Sequence, residues 1–496
     1  MDKTICVIAL DQGTTSTRAI AFDLQGNVIA KSQKDFDQFY PQSGWVEHDG
    51  EEIWQSCLFV LNELAQILEA KNIIPKAMGI TNQRETVLLW DKVTGAPLTR
   101  AIVWQDRRTA DFCESLKEKG LEPDINSKTG LILDPYFSAS KIAWLLDSDP
   151  LFRQEAEQGN ILTGTIDSYI TYRLSGQHTH ITDATNASRT LLMELKASDW
   201  SAELLNVFNI PANILPKIVD SAGDLATIDD ALPMSGLTIN ALIGDQQSAA
   251  VGQGCLSSGS VKSTYGTGCF ILAHTGTEPI HSKNKLLTTV ALQVDGQRTF
   301  AVEGSIFNAG TVTQWFKDGI NIIDDASESE ELARSVEDTN GVYMVPAFTG
   351  LGAPHWQADA RGIIVGIERS TSRAHIVRAG LESIVFQTND LIDCMIEDGC
   401  KIPDRLLVDG GMANNAWFLE YLAKITGAEV FRPESSEATA LGAAIVAAYG
   451  AGLIDKLSFE NMDTGHHYMS NDNDQQLRIS AIGGWRQVIK TYYPKN

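Results

Sequence analysis

Cysteine is scarce and scattered in this chain. Its seven cysteines, Cys6, Cys57, Cys113, Cys255, Cys269, Cys394 and Cys400, form no C-x-x-C pair. That pattern argues against a disulfide scaffold and points to buried free thiols in a reducing compartment. The paired histidines His178/His180 and His466/His467 lack nearby cysteines or helical H-x-x-x-H spacing, which argues against zinc. Positive charge is short as well: 39 Lys+Arg face 63 Asp+Glu, a formal net charge of −24. DNA and RNA want a clustered basic face, so a nucleic-acid partner is set aside, while a small anion held by backbone N–H groups and a metal ion is not. Long apolar runs are missing too. Ile5–Leu10 is halted by Asp11, too short for a signal segment, and no stretch approaches the ~20 apolar residues of a membrane span. A cytoplasmic protein is expected. Finally, G-x-x-x-x-G-K-[ST] is absent, and no G-x-G-x-x-G follows a strand, so a nucleotide would bind by neither a P-loop nor a Rossmann turn.

What remains is an ordinary globular composition, 43% hydrophobic and 21% charged over 496 residues, long enough for two to four domains. Ile5–Leu10, Arg18–Asp23 and Val28–Ala30 read as strands joined by tight turns, followed by an amphipathic helix over 51–71 and a strand at Ala77–Thr81. The second half opens the same way. Val261–Tyr265, a Gly-Thr-Gly turn and Cys269–Ala273 form a hairpin, and Thr288–Val294 pairs with Arg298–Glu303 around Asp295-Gly296-Gln297. A long helix over 373–397 has Ser370, Thr371 and Ser372 as possible caps. Strand Leu406–Asp409 ends in two glycines, and the Ala- and Gly-rich segment 439–451 predicts a closely packed helix. The expected architecture is α/β, with two domains, 1–250 and 251–496, flanking a cleft.

Asp11-Gln12-Gly13-Thr14-Thr15-Ser16-Thr17-Arg18 closes an apolar strand with an acid, a turn-permitting Gly and a run of hydroxyls. Such a turn can aim N–H and hydroxyl donors at an anion while Asp11 organises hydrated Mg²⁺; an ordinary solvated hairpin is the alternative. Gly266-Thr267-Gly268 and Asp409-Gly410-Gly411 repeat the theme weakly, since Gly is expected at turns. Arg84 and Glu85 offer a donor fork beside an acceptor, or only a surface ion pair. Asp245 follows the apolar run Ala241–Ile243 and Gly244, so it is placed at a strand end as a general base, with helix capping the competing role.

Several segments in order resemble the FGGY sugar and polyol kinases of the actin/hexokinase-like ATPase superfamily. They are Asp11–Arg18, GWVEHD (44–49), TNQRET (81–86), WQDRR (104–108), DPYFS (134–138), TDATNASRT (182–190), GDQQ (244–247), TYGTGCF (264–270) and PAFTGLGAP (346–354). The resemblance implies two actin-like, ribonuclease H-like domains and ATP-dependent phosphorylation of glycerol to sn-glycerol 3-phosphate, the first step of glycerol utilisation. It implies that Arg84, Glu85, Tyr136, Asp245 and Gln246 bind glycerol, with Trp104 and Phe270 walling its carbon backbone; for the two rings, core packing is the alternative. On the nucleotide side it carries over Thr14, Thr15, Ser16 and Arg18 to the phosphates, and Thr267, Gly310, Gln314, Gly411 and Asn415 to the ribose, adenine and phosphates. Asp11 and Asp245 would hold Mg²⁺ through water, and a homodimer or homotetramer is implied.

Two departures stand out. Many family members read D-G-G-x-x-A-N-N, whereas residues 409–416 here read DGGMANNA, so that in ungapped register Asn415 falls on the first family Asn and Ala416 on the second. Residues 216–240 contain no Arg, no His and no Gly-Gly, which predicts that neither sugar-bisphosphate inhibition nor histidine phosphorylation controls the enzyme. Competing readings are a kinase for another polyol or ketose, an actin-like ATPase without the polyol residues, and a catalytically dead regulator. The joint presence of Arg84, Glu85, the two aromatics, Asp11 and Asp245 counts against all three.

Overall fold

The computed structural model describes residues 4–355, 357, 359–401, 403–435, 437–460, 464–471 and 474–494. The first sheet uses β1 (Ile5–Gln12), β2 (Ser16–Phe22), β3 (Val28–Asp35), β4 (Ile74–Asn82), β5 (Ala222–Thr227) and β6 (Thr238–Gly244), in the order β5-β6-β4-β1-β2-β3. The second uses β7 (Val261–Tyr265), β8 (Cys269–Gly276), β9 (Leu287–Val294), β10 (Gln297–Ile306), β11 (Arg405–Asp409), β12 (Glu429–Pro433) and β13 (Gly465–Tyr468), in the order β9-β10-β8-β7-β11-β12-β13.

The two sheets share one plan. In the first, β1 pairs antiparallel with β2 and parallel with β4, β2 pairs antiparallel with β3, and β4 pairs parallel with β6. In the second, β7 pairs antiparallel with β8 and parallel with β11, β8 pairs antiparallel with β10, and β11 pairs parallel with β12. The weak likeness of the two halves in sequence is thus a shared order of five strands, β3-β2-β1-β4-β6 in the first sheet and β10-β8-β7-β11-β12 in the second. The mixed α/β, two-domain actin-like architecture is the one expected.

The helices follow from patterning and caps. The first, α1 (Gly50–Ala70), buries Ile53, Trp54, Cys57, Val60, Leu61, Leu64 and Leu68, and Asp49 caps it by accepting from the N–H groups of Glu51 and Glu52. Two further helices of the first half bear on the site, α2 (Ser138–Ser148) and α3 (Asp245–Gly252). In the second half α4 (Gly310–Gln314) is short, and α5 (Arg373–Glu397) starts from Ser372, which shares a capping box with His375. They are followed by α6 (Ala416–Thr426) and α7 (Ala438–Gly450).

One element of the second half leaves its own sheet. Helix α7 packs with Val7, Ala9, Ala77 and Ile243 in one apolar cluster on the first sheet. Its approach to α3 is close because both contact points are glycines: a Cβ on Gly442 would lie 1.8 Å from the Ser248 carbonyl oxygen, and one on Gly252 would lie 2.0 Å from that of Ala438. Ser248 Oγ also donates to the Thr439 carbonyl at 2.6 Å. The helix that begins with Asp245 is therefore braced from the far end of the chain.

All seven cysteines are free. Among the described residues, no group of three or more His, Cys, Asp and Glu is arranged to hold a metal, and no helix is long and apolar enough to cross a membrane. His180 bonds the Thr163 carbonyl and His467 meets Glu429. Residues 461–463 and 472–473 lie outside the described residues, while Gly465–Tyr468 pairs antiparallel with β12 as an edge strand.

Candidate active site

Strand register brings the first set of residues together. Gln12 of β1 lies opposite Asn82 of β4, and Asn82 lies opposite Gly244 of β6. Asp11, Arg84–Glu85 and Asp245 therefore stand at adjacent strand ends, on the carboxyl edge where open α/β sheets receive ligands. In the second sheet Thr264 lies opposite Asp409, which sets the turn at 266–268 beside the glycines at 410–411.

Arg84 and Glu85 are no surface pair: both side chains are only 2% exposed. Buried charges need partners, and these come from distant segments. Arg84 donates from Nη1 to Glu303 Oε1 at 2.6 Å, from Nη2 to Glu303 Oε2 at 3.1 Å, and from Nη1 to Gln247 Oε1 at 3.0 Å. Arg189 Nε donates to Glu85 Oε1 at 2.5 Å, and Arg189 Nη1 lies 3.3 Å from Glu303 Oε2. Two arginines and two glutamates thus form a buried cluster with no net charge. Burial works against the Glu303 charge, but Arg189 and Arg84 outweigh it and hold its carboxyl down at about 2. Glu85 takes φ +60°, an uncommon conformation for a residue with a Cβ, which this cluster holds in place.

Asp245 is the first residue of α3. Its Oδ1 accepts from the Gln246 N–H at 2.7 Å and lies 3.4 Å from Arg84 Nε. The N-cap position is Gly244, yet Asp245 at the first helical position serves a first-turn N–H through Oδ1, and its partly accessible carboxylate also faces Arg84. Burial pushes its carboxyl up to about 6, with Arg84 pulling it down and Glu85 adding to the rise. Gln246 Oε1 accepts from Lys262 Nζ at 2.7 Å.

The aromatics belong to the same site. Trp104 makes edge contacts with Tyr136 at 5.8 Å and Phe270 at 6.4 Å between ring centroids, and the Arg189 guanidinium lies 5.4 Å from the Tyr136 ring. All three rings are partly accessible, unlike rings spent wholly on core packing. Beneath them, fully buried Lys141 of α2 donates to the carbonyls of Pro135, Tyr136 and Phe137.

On the other side, the β1–β2 turn closes with Gly13 N–H donating to the Ser16 carbonyl at 2.9 Å, and Gln83 Nε2 steadies it by donating to the Gly13 carbonyl at 3.0 Å. This turn carries Thr14, Thr15 and Ser16. Arg18 lies opposite Asp11 on β2 and donates both to Asp11 and to Glu437. Burial raises the Asp11 carboxyl above its ordinary range, against the pull of Arg18. Thr267 sits in the second turn, and Gly310 N–H donates to the Gly266 carbonyl at 2.9 Å. A Cβ on Gly310 would lie 2.6 Å from that same oxygen, so only glycine allows the close approach. Thr15, Thr267 and Gly411 are exposed.

Two of the expected nucleotide residues are engaged elsewhere. Gln314 donates to Asp318 at 2.5 Å, and Asn415 caps α6 by accepting from the Phe418 N–H at 2.9 Å. Sequence reasoning gave no role to Glu303, Arg189, Gln247, Lys262 or Lys141. Arg189 lies inside the quoted run 182–190 and Lys262 two residues before TYGTGCF, but nothing local marks their partners.

The arrangement places an acid-and-arginine cluster with aromatic walls beside glycine turns at the mouths of two like sheets, which suits transfer of a phosphoryl group to a small hydroxylated acceptor. Residues 6–252 match the N-terminal domain of the FGGY family of carbohydrate kinases, and residues 261–451 match its C-terminal domain. The chain belongs to this family and is a phosphotransferase. Among its relatives, it is 50% identical over 491 residues to a glycerol kinase of Ectopseudomonas mendocina, covering 98% of each chain. It is 48% identical over 491 residues to one of Rhodospirillum centenum, covering 99% of this chain and 98% of that one. Among solved structures, it superposes on a Plasmodium falciparum glycerol kinase with ADP at a TM-score of 0.94 and 34% identity, covering 99% and 98% of the two chains.

Proposed function

We propose that the protein transfers the γ-phosphoryl group of ATP to a terminal hydroxyl of glycerol, giving sn-glycerol 3-phosphate and ADP. The observation that carries this reading is the buried Arg84–Glu85–Arg189–Glu303 cluster facing Asp245, in a chain about half identical to glycerol kinases over its length. Arg84, Glu85, Tyr136, Asp245 and Gln246 meet the hydroxyls, and an analogue lacking one leaves a buried polar group unpaired. Trp104 and Phe270 cover the carbon backbone.

Asp245 is the general base. Phosphoryl transfer passes through a loose transition state, so the hydroxyl proton leaves late and a positioned carboxylate suffices to take it. Thr14, Thr15, Ser16 and Arg18 hold the phosphates, and Thr267, Gly310 and Gly411 present backbone to the nucleotide. Gln314 and Asn415 complete the nucleotide side, each with part of its amide bonded within the chain, to Asp318 and to the Phe418 N–H. The donor set fits Mg²⁺ arriving with ATP: Asp11 and Asp245 would offer it oxygens from the ends of β1 and β6, on either side of β4, Asp409 Oδ1 is buried without a hydrogen-bond partner, and this ion keeps several waters beside one or two carboxylates. When bound, it neutralises charge on the phosphate oxygens.

ADP release with and without glycerol tests the reading. Glycerol-dependent release supports it, glycerol-independent turnover points to an ATPase, and no turnover with any polyol points to an inactive regulator.

A further inference from the structure

We infer that Glu303, a residue of the second sheet, is a positioning residue that aims the Arg84 fork at the acceptor hydroxyls. This rests on the reading of Arg84 as a glycerol-binding group. The guanidinium has five N–H donors in a fixed plane. Glu303 takes one hydrogen from each of Nη1 and Nη2, at 2.6 and 3.1 Å, and Gln247 takes the other Nη1 hydrogen at 3.0 Å. That leaves Nε–H and the second Nη2 hydrogen, two parallel donors on one edge of the plane. Asp245 Oδ1 lies 3.4 Å from Nε, so this free edge and the catalytic carboxylate face the same space. A bidentate grip at the tip of the guanidinium decides which edge is left over and where it points.

Glu303 is the fixed member of this pair. It lies inside β10, opposite Leu272 of β8 on one side and Leu287 of β9 on the other, so two strands hold its backbone. Arg84, by contrast, sits in the short link between β4 and the strand at 87–91. The same carboxylate faces Arg189, whose Nε holds Glu85. The acceptor residues of the first half therefore take their alignment from a carboxylate of the second half, and the acceptor site is complete only when the two halves meet at Glu303.

Steady-state KM values for glycerol and for ATP are measured for the wild type, E303Q, R84A and the double variant, with thermal unfolding as a control for folding. E303Q is expected to raise the glycerol KM about tenfold or more and to leave the ATP KM within about twofold, as loss of a charge-assisted bidentate contact predicts. R84A is expected to raise the glycerol KM as well. Adding E303Q to R84A is expected to change it by less than about threefold, because nothing is left to aim. A wild-type glycerol KM in E303Q beside a raised value in R84A overturns the role of Glu303 while leaving the Arg84 assignment standing. An unchanged value in R84A overturns both. Effects that multiply in the double variant also overturn the inference. If E303Q fails to fold, E303D, which keeps the charge but withdraws it by one methylene, is judged by the same criteria.

Discussion

Trp104 donates its indole N–H to Thr14 Oγ1 across 3.1 Å. The ring that touches Tyr136 and Phe270 on the acceptor side is thereby hydrogen-bonded to the first hydroxyl of the β1–β2 turn. On the roles proposed above, acceptor wall and phosphate turn form one unit.

Trp104→Phe keeps a smaller apolar ring and removes the donor. One lost hydrogen bond of ~1 kcal/mol corresponds to about fivefold, so the ATP KM should rise by about that factor while the glycerol KM stays within about threefold. Steady-state kinetics with each substrate varied in turn checks this. A rise confined to glycerol would contradict it.

Asp245→Asn should abolish transfer while glycerol affinity, measured by calorimetry, stays within about an order of magnitude, because the amide keeps the shape and loses the proton acceptor. Retention of more than about a tenth of the wild-type rate would remove Asp245 as base.

The pH profile follows from the same carboxyl. Burial raises it from an ordinary carboxylate value to about 6, modulated by Arg84, Glu85, Lys262 and Asp11. Below that pH it is protonated and cannot accept the hydroxyl proton. The log of kcat/KM for glycerol should therefore be flat above about 6 and fall with unit slope as the pH drops through it. An acid limb at an ordinary carboxylate pH of about 4 would refute the assignment.

Gly442→Ala places a methyl group 1.8 Å from the Ser248 carbonyl oxygen unless α7 moves away from α3. Overpacking of this kind costs ~1–3 kcal/mol, which urea unfolding would read. Because α3 begins with Asp245, kcat should fall as well. A variant as stable as wild type would show that the two helices slide freely.

Fructose 1,6-bisphosphate should not inhibit. Residues 216–240 offer neither an arginine nor a histidine to a phosphate, and half-inhibition at millimolar or lower concentration would overturn the expectation.

Much of the scaffold is legible in the chain because its signals are local. The helix over 373–397 follows from apolar spacing and is observed with those bounds, capped by Ser372, one of three expected candidates. The strand–Gly turn–strand openings at 5–22 and 261–276 follow from turn residues between apolar runs. Resemblance to a known family pointed to Arg84, Glu85, Tyr136 and Asp245, and burial ruled out a surface ion pair for the first two. Glu303 stayed hidden because Arg298–Glu303 reads as a strand that ends there, whereas β10 runs on to Ile306 and buries the carboxylate. Its partner Arg84 is 219 residues away, and no spacing rule spans that distance.

By itself, then, the amino-acid sequence determined the elements, the two glycine-turn openings, the acidic balance that sets nucleic acid aside, and the motifs of the family. Only the tertiary structure decided which charges neutralise one another. Periodicity and turn chemistry act over a few residues, so they can be read along the chain. A buried guanidinium is satisfied by whichever carboxylate the packing of two sheets brings within about 3 Å, and that depends on how the whole chain closes on itself.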